Sequence, residues 1–511
     1  VLVVLAGLVW VVGPKLVTGP LLWLAAEPVW AVVIAAGVVA TWLFATSTDR
    51  ASKVQKAQAA RKAGKSSGRS SEQDDERLVR MQAQSQRNSR AAGIVVAAGL
   101  LVAGLGFTLL PYAKASALAG TYERIDTVPG YQDRAPFVVA EQLSNRDLDE
   151  VIGDRVGVHA VQSADQPNQY TTLVVRRGWF QGYEAVQTIR PPLVGAGSES
   201  SSACKFQPEH GLRLGGAVPS NNLARAIAFQ RPFALFDEDD AYGFCDGDEP
   251  VVVVPLKRLG GIWPVVVEKP AGAAVYRGGE LTILDSDEID ESIIGPTYPR
   301  SIAAQQREAS LASGTFMDWL FKRAGYDTAG DTSDSEEESE APDEPNRSNA
   351  VDFSLVDTDG AGEFVTALTP VGASESVVAA GHVSFRQTSR ELNPYRISRY
   401  EPALPALSTS ENRLRSDLSD LPGWASGMRV MEITPSSDGT YVASIGQNQV
   451  VTYRARIGVD GAVQLLQRDA QAPAAEAPTP SERDLEDMSS SEIAEQIRIL
   501  TEELARRAEH E

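Results

Sequence analysis

Side chains able to do chemistry are scarce in this 511-residue chain. The four histidines are His159, His210, His382 and His510. None falls in the H-x-x-x-H or H-E-x-x-H spacing that puts two imidazoles on one metal. No G-x-S-x-G nucleophile elbow and no phosphate-cradling G-K-[ST] loop occurs. His382, in AAGHVSF, lies on an expected strand and reads as a packed or solvated histidine rather than a base. Carboxylates gather twice. Asp237, Glu238, Asp239 and Asp240 precede Cys245, and Asp246 and Asp248 follow it; Asp285, Asp287, Glu288, Asp290 and Glu291 form a second run. Oxygen ligands collected this way suit Ca²⁺ held weakly. Asp237, Asp239, Asp240, Asp246 and Asp248 are the candidate ligands, with solvated acidic loops as the alternative. Paired-carboxylate hydrolysis would need two of these groups face to face, and nothing in their spacing pairs them. No catalytic residue and no cofactor is expected.

The two cysteines, Cys204 and Cys245, belong to no C-x-x-C motif. In an oxidising compartment they are most simply one disulfide; two separate buried thiols are the alternative. Which compartment they occupy follows from charge and hydropathy. Residues 28–46 and 91–113 carry no charge over 19 and 23 positions, and a bilayer core takes about 20 apolar residues in a helix. Residues 1–13 are also wholly apolar and read as a third, truncated span or the remnant of a signal peptide, followed by a turn at Pro14, Lys15, Gly19 and Pro20. Trp10, Trp23, Trp30, Trp42 and Tyr112 suit interfacial anchoring. Glu27 marks an interface.

Between the two longer spans, residues 50–90 hold 11 Lys or Arg against four Asp or Glu. From residue 91 to the end, 35 basic residues face 62 acidic ones. Short loops rich in Lys and Arg stay cytoplasmic. The basic segment is therefore expected inside and everything after Lys114 outside. The segment lacks the interleaved aromatics of a nucleic-acid binder, so the partners expected are membrane lipid and proteins, with no nucleic acid.

The expected fold class is α+β: N-terminal transmembrane helices, a mixed α/β extracytoplasmic domain, a mainly β second domain and a C-terminal amphipathic helix. The divisions fall at 1–48 (two membrane helices), 49–90 (basic cytoplasmic loop), 91–113 (membrane helix), 122–326 (α+β domain), 327–349 (acidic linker, disordered by composition), 350–468 (mainly β domain), 469–488 (Pro/Ala-rich linker) and 489–511 (amphipathic or coiled-coil helix). In the first domain, 170–177 and 182–189 read as a hairpin, VVVVPL as a buried strand, and 273–284 as two strands about Gly278-Gly279. Helices are expected at 136–148, at 220–230 capped by Ser220, and at 301–324 with a break near Gly314. The second domain, with strands but no alternating helices, suits a β-sandwich or partial barrel. In the last segment Ser489 and Glu492 form a capping box. Ile493, Ile497, Leu500 and Leu504 make one apolar stripe, a candidate contact with another envelope protein, a second copy or the chain's own domain.

In layout the chain resembles membrane-anchored extracytoplasmic subunits of bacterial envelope machines, such as the core component of mycobacterial type VII secretion that carries a disulfide. The resemblance is one of layout, with no motif and no residue role carried over. The function it and the charge pattern imply is a scaffold or assembly subunit of an envelope transport, secretion or conjugation-like complex. A ligand-binding protein or sensor, with Trp179, Phe180, Tyr183 or Trp263 lining a pocket, is the alternative. An envelope hydrolase using Asp or Glu with His159 or His210 is a further one.

Overall fold

The computed structural model describes residues 14–468 apart from 63–71, 147–152, 179–180, 197–199, 217–218, 330–352, 373–375, 425–426, 437–438 and 449. The stretch at 1–13, most of the acidic linker and the C-terminal segment with Ile493, Ile497, Leu500 and Leu504 lie outside the described residues.

The turn expected at 14–20 is instead the start of a helix, α1 (Lys15–Ala26). Pro14 stands at its N-cap, where a missing N–H costs nothing, and Pro20, inside the helix, forfeits one internal bond. Two long helices follow, α2 (Pro28–Lys62) and α3 (Glu72–Ala119), packed antiparallel. Each is long and apolar enough to cross a bilayer, and only 11% of each apolar window is buried. A helix in a soluble core would show the reverse.

Close packing within the pair depends on glycine. A Cβ on Gly106 would lie 2.6 Å from the Val29 side chain, and one on Gly99 2.9 Å from that of Ala36. Small residues of this kind let helix backbones approach in lipid. Glu27 and Lys114 close one end of the apolar stretch at 2.8 Å. Toward the other end, Ser47 and Ser85 exchange hydroxyl-to-carbonyl bonds of 3.0 Å. The basic segment read as a loop is largely helical, because its Ala, Gln, Lys and Arg residues favour helix and Asp49–Lys53 and Glu76–Arg80 add i,i+4 pairs.

Beyond α3 the chain becomes mixed helix and sheet. β1 (Tyr122–Ile125) starts three residues after α3 ends. Helix α4 (Phe137–Arg146) leads to an antiparallel sheet in sequential order, β2 (Asp154–Ala160), β3 (Tyr170–Val175), β4 (Tyr183–Arg190) and β5 (Ser200–Lys205). Helix α5 (Leu223–Gln230) begins later than expected. Its cap is Asn222, which accepts the Arg225 N–H, while Ser220 lies in a preceding 3₁₀ turn. A second sequential sheet holds β6 (Tyr242–Asp246), β7 (Glu249–Ile262), β8 (Val265–Arg277) and β9 (Glu280–Leu284). Gly278 and Gly279, both with positive φ, form the β8–β9 turn, as two-residue hairpins of this hand require.

Leu173 and Val186 of the first sheet pack on Val252, Val254 and Tyr276 of the second. Val251, Val253 and Ala273 bury its other face against Val161 and Ile293. Strand β7 is thus covered on both sides, which is why VVVV shows no alternation. Residues 301–324 divide as expected, into α6 (Arg300–Glu308), a 3₁₀ turn, and α7 (Phe316–Leu320) beyond Gly314. Thr315 and Asp318 give α7 a capping box.

The remaining strands are β10 (Tyr326–Thr328), β11 (Phe353–Val356), β12 (Gly362–Pro370), β13 (Val377–Ser384) and β14 (Tyr395–Leu404), then helix α8 (Leu407–Asp417), then a meander of β15 (Arg429–Pro435), β16 (Tyr441–Gln447), β17 (Val450–Ile457) and β18 (Val463–Arg468). A six-stranded sheet runs β1-β14-β13-β12-β10, with β11 also on β12. β1 pairs parallel with β14, and β10 antiparallel with β12. Strands from before residue 327 and after residue 349 therefore share one sheet. It packs on the β15–β18 meander through Ala380, Tyr400, Tyr441 and Tyr453, with Leu414 of α8 in the same core.

Candidate functional site

The two cysteines are joined. Cys204 on β5 and Cys245 on β6 form a disulfide with Cα atoms 5.9 Å apart, linking the first two sheets. The flanking carboxylates do not converge on a cation position. Asp237 takes the Lys257 ammonium at 2.6 Å, and Asp246 takes Arg277 at 2.9 Å. Asp240 is buried and accepts from the Ser301 hydroxyl at 2.7 Å. Lys257 and Arg277 sit on the neighbouring strands β7 and β8, so the sheet supplies the positive charge itself. Among the described residues no three His, Cys, Asp or Glu side chains are placed to hold a metal ion. The candidate Ca²⁺ ligands Asp237, Asp239, Asp240, Asp246 and Asp248 are therefore not gathered into such a group. Burial opposes ionisation of Asp237, but its bond to Lys257 and the charge beside it hold its pKa below the ordinary value. For Asp240 burial wins, and its pKa is raised.

A histidine outside that region makes the arrangement nearest to catalytic geometry. His382 Nδ1 lies 3.0 Å from Glu363 Oε2 and Nε2 lies 2.9 Å from Ser398 Oγ. The three residues occupy one diagonal across β12, β13 and β14: Val365 pairs with His382, and His382 with Arg396. The order is that of a serine-histidine-carboxylate triad, but the surroundings differ. All three side chains are buried, and the Ser398 hydroxyl also reaches the Thr127 carbonyl at 3.2 Å. Tyr131 donates to the same Glu363 oxygen at 3.3 Å. A nucleophile needs an approaching substrate, whereas this hydroxyl meets backbone. The chain of bonds braces three strands and satisfies polar groups taken out of water.

A third cluster joins parts of the chain about 300 residues apart. Between β1 and α4, Asp133 takes Arg454 of β17 through two bonds of 2.8 and 2.9 Å. The next residue, Arg134, pairs with Glu432 of β15 and donates to Tyr170 of β3 at 2.6 Å. Glu432 also accepts the Phe137 N–H at 3.0 Å, at the start of α4. Arg134 and Glu432 are both buried. Burial disfavours charge on Glu432 and raises its pKa, with Arg134 opposing. This clamp left no sign in local spacing, because its partners come from distant segments.

Beside the clamp, a small cleft of about 50 Å³ is lined by Arg134, His159, Asp239, Asp240, Tyr298 and Arg300 among others. Burial and then the Arg300 charge push the His159 pKa down to about 4, against a smaller opposing pull from Asp239. The aromatics named for a binding pocket do not meet there. Tyr183 is in the core between the first two sheets, Trp263 is at the β7–β8 tip, and Trp179 and Phe180 fall outside the described residues. His210 abuts Gly279 at the β8–β9 turn, away from the cleft. No protein-family model, curated protein or solved structure matches this chain.

Proposed function

We propose that the chain is a membrane-anchored extracytoplasmic scaffold subunit of a bacterial envelope transport, secretion or conjugation-like complex, acting by protein contacts rather than catalysis. The observation that carries this is the direct joint between an outward-facing apolar helix pair and a braced β body, with only two residues between α3 and β1. Such a joint holds the body at a fixed height over the membrane. Confinement of that kind raises the effective concentration of the body for partners in the same membrane. The sidedness rests on the basic segment at 50–90 and the acidic remainder. The His382 bonds serve the sheet, and Asp237 and Asp246 pair with its cations, which supports a role carried by the body's surface. Gentle detergent extraction from the native host should recover the chain in a complex well above its 54.7 kDa. Recovery solely as an isolated monomer under those conditions rejects the scaffold reading.

A ligand-binding reading draws on the cleft at His159 and Arg300. A small anion stabilising the protein in a concentration-dependent way, with the response lost in Arg300→Gln, would favour it.

A further inference from the structure

Three elements, the N-terminal helix α1 and two parts of the β body, pack on the apolar helix pair, and each leaves large apolar side chains uncovered. The first is α1, whose Trp23 stacks 6.1 Å from Trp30, itself edge-on to Phe107 at 5.6 Å. The second is the β7–β8 hairpin. Val265, at its tip, packs against the cluster of Val29, Ala103 and Leu110. The third is α7. Phe316 and Trp319 lie 5.4 and 5.7 Å from the Tyr112 ring, and the Tyr112 hydroxyl donates to the Gly314 carbonyl at 3.1 Å.

These contacts share a level. Phe107, Leu110 and Tyr112 precede Lys114 on α3, so they lie on the apolar side of the Glu27–Lys114 pair, roughly 3–10 Å inside it at a helical rise of 1.5 Å per residue. Beside these contacts, large apolar side chains are unusually exposed for their type. Ile262 is 88% exposed and Trp263 60%; Met317 and Phe321 are 56% and 54%. Basic groups sit beside them: Lys322 and Arg323 follow Phe321, with the Arg323 guanidinium 4.9 Å over the Phe321 ring.

We propose that α1, the β7–β8 tip and α7 form a collar that inserts into the headgroup–acyl boundary of the bilayer leaflet on the side of the β body. The occupant is lipid because these elements pack directly on α2 and α3, whose own apolar side chains, Val39, Leu105 and Phe107 among them, are exposed. An aromatic and aliphatic face set about 5–10 Å deep, with cations at its rim, is the pattern of interfacial elements. Tryptophan suits this layer, having an apolar ring and one N–H for the wet side. The collar makes the mount three-sided, so the body is held in orientation as well as height. The inference rests on reading α2 and α3 as membrane spans, and its test must separate the two.

Single cysteines are placed by Ile262→Cys, Met317→Cys, Val39→Cys and Glu280→Cys in the full chain, leaving the disulfide intact. Val39 is exposed within the apolar window of α2. Glu280 begins β9, at the opposite end of β8 from the tip, roughly 40 Å away at about 3.3 Å per strand residue. Each is spin-labelled, and the protein is reconstituted into nanodiscs of phosphatidylethanolamine and phosphatidylglycerol. Collision with a water-soluble nickel chelate is then compared with collision with oxygen. The collar predicts loss of nickel broadening at 262 and 317 down to the level at 39, with 280 fully accessible. Nickel access at 262 and 317 equal to that at 280, while 39 stays shielded, overturns the collar and leaves the spans standing. Access at 39 as well overturns the spans and the collar together. Shielding at 262 or 317 accompanied by spin–spin broadening assigns the surface to a second copy, and also overturns the lipid assignment.

Discussion

At the scale of single residues, the buried bonds of His382 and the shifted pKa of His159 make different demands. Ser398, His382 and Glu363 resemble a triad in distances only, so a fluorophosphonate probe should leave Ser398 unmodified in the folded protein; labelling there would reopen the hydrolase reading. Ser398→Ala leaves His382 short of a partner in a buried network, and such a loss costs about 1–3 kcal/mol, readable as a lower urea midpoint. His159 is depressed from its ordinary 6.5 to about 4. Between those values the unfolded chain takes up a proton that the folded chain refuses. The stability linked to His159 is therefore complete above pH 6.5 and falls as pH drops toward 4. His159→Gln should flatten the stability–pH curve across that window, and an unchanged slope would refute the assignment. Asp133 and Asp237 act lower. Their pKa values lie below the ordinary one, so their contribution is complete above about pH 4 and lost as pH falls through the lowered values. His382 was legible as a packed histidine because it sits in an apolar strand. The acidic cluster was misleading because a sequence shows where carboxylates crowd but not that Lys257 and Arg277 stand on the next strands.

At the scale of elements, local rules succeeded wherever a strand or turn carries its own signal. The hairpin of β3 and β4, the Gly278-Gly279 turn and the break at Gly314 were all readable from spacing and glycine chemistry. Strand β14 and helix α8 were not. Tyr395–Leu404 alternates with arginines and a glutamate, and its pairing is decided by its neighbours β1 and β13. Helix α2 runs beyond the apolar stretch because helix propensity does not stop at a membrane boundary. The disulfide between β5 and β6 was legible by elimination, there being only two cysteines. Closing a 41-residue separation is worth about 3–4 kcal/mol in the loop-entropy model. The double variant Cys204→Ser/Cys245→Ser should lose stability of that order in denaturant titration, and an unchanged midpoint would show that the bond does not constrain the unfolded chain. For the C-terminal stripe the expectation is selective. Replacing Ile493, Ile497, Leu500 and Leu504 by serine should leave thermal unfolding of the body unaltered while reducing the size of the extracted complex. A complex of unchanged size would move the contact elsewhere.

At the scale of the whole molecule, distant segments are tied together by charge placed inside the protein. Arg134 and Glu432 are 298 positions apart, and both are buried. Removing one partner of such a pair leaves an uncompensated charge, a loss of about 3–5 kcal/mol. Glu432→Gln should therefore destabilise strongly, whereas the paired Arg134→Met/Glu432→Leu change should recover much of the loss. No local pattern announces this junction, since its partners are assembled only when β1, α4, β3 and β15 have found their places. Sidedness is the opposite case: it is carried by charge totals that folding does not alter. In the proposed topology, the 11 basic residues against four acidic ones at 50–90, and the acidic excess beyond, keep the basic segment behind while the body crosses. The acidic stretch at 331–341, DTSDSEEESEA, offers a protease with acidic specificity several adjacent sites. Added to intact, wall-stripped cells, that protease should cut there while an antibody epitope placed within 63–71 remains protected until lysis. Cleavage that appears only after lysis, together with an epitope accessible from outside, would invert the topology and place the collar in the inner leaflet.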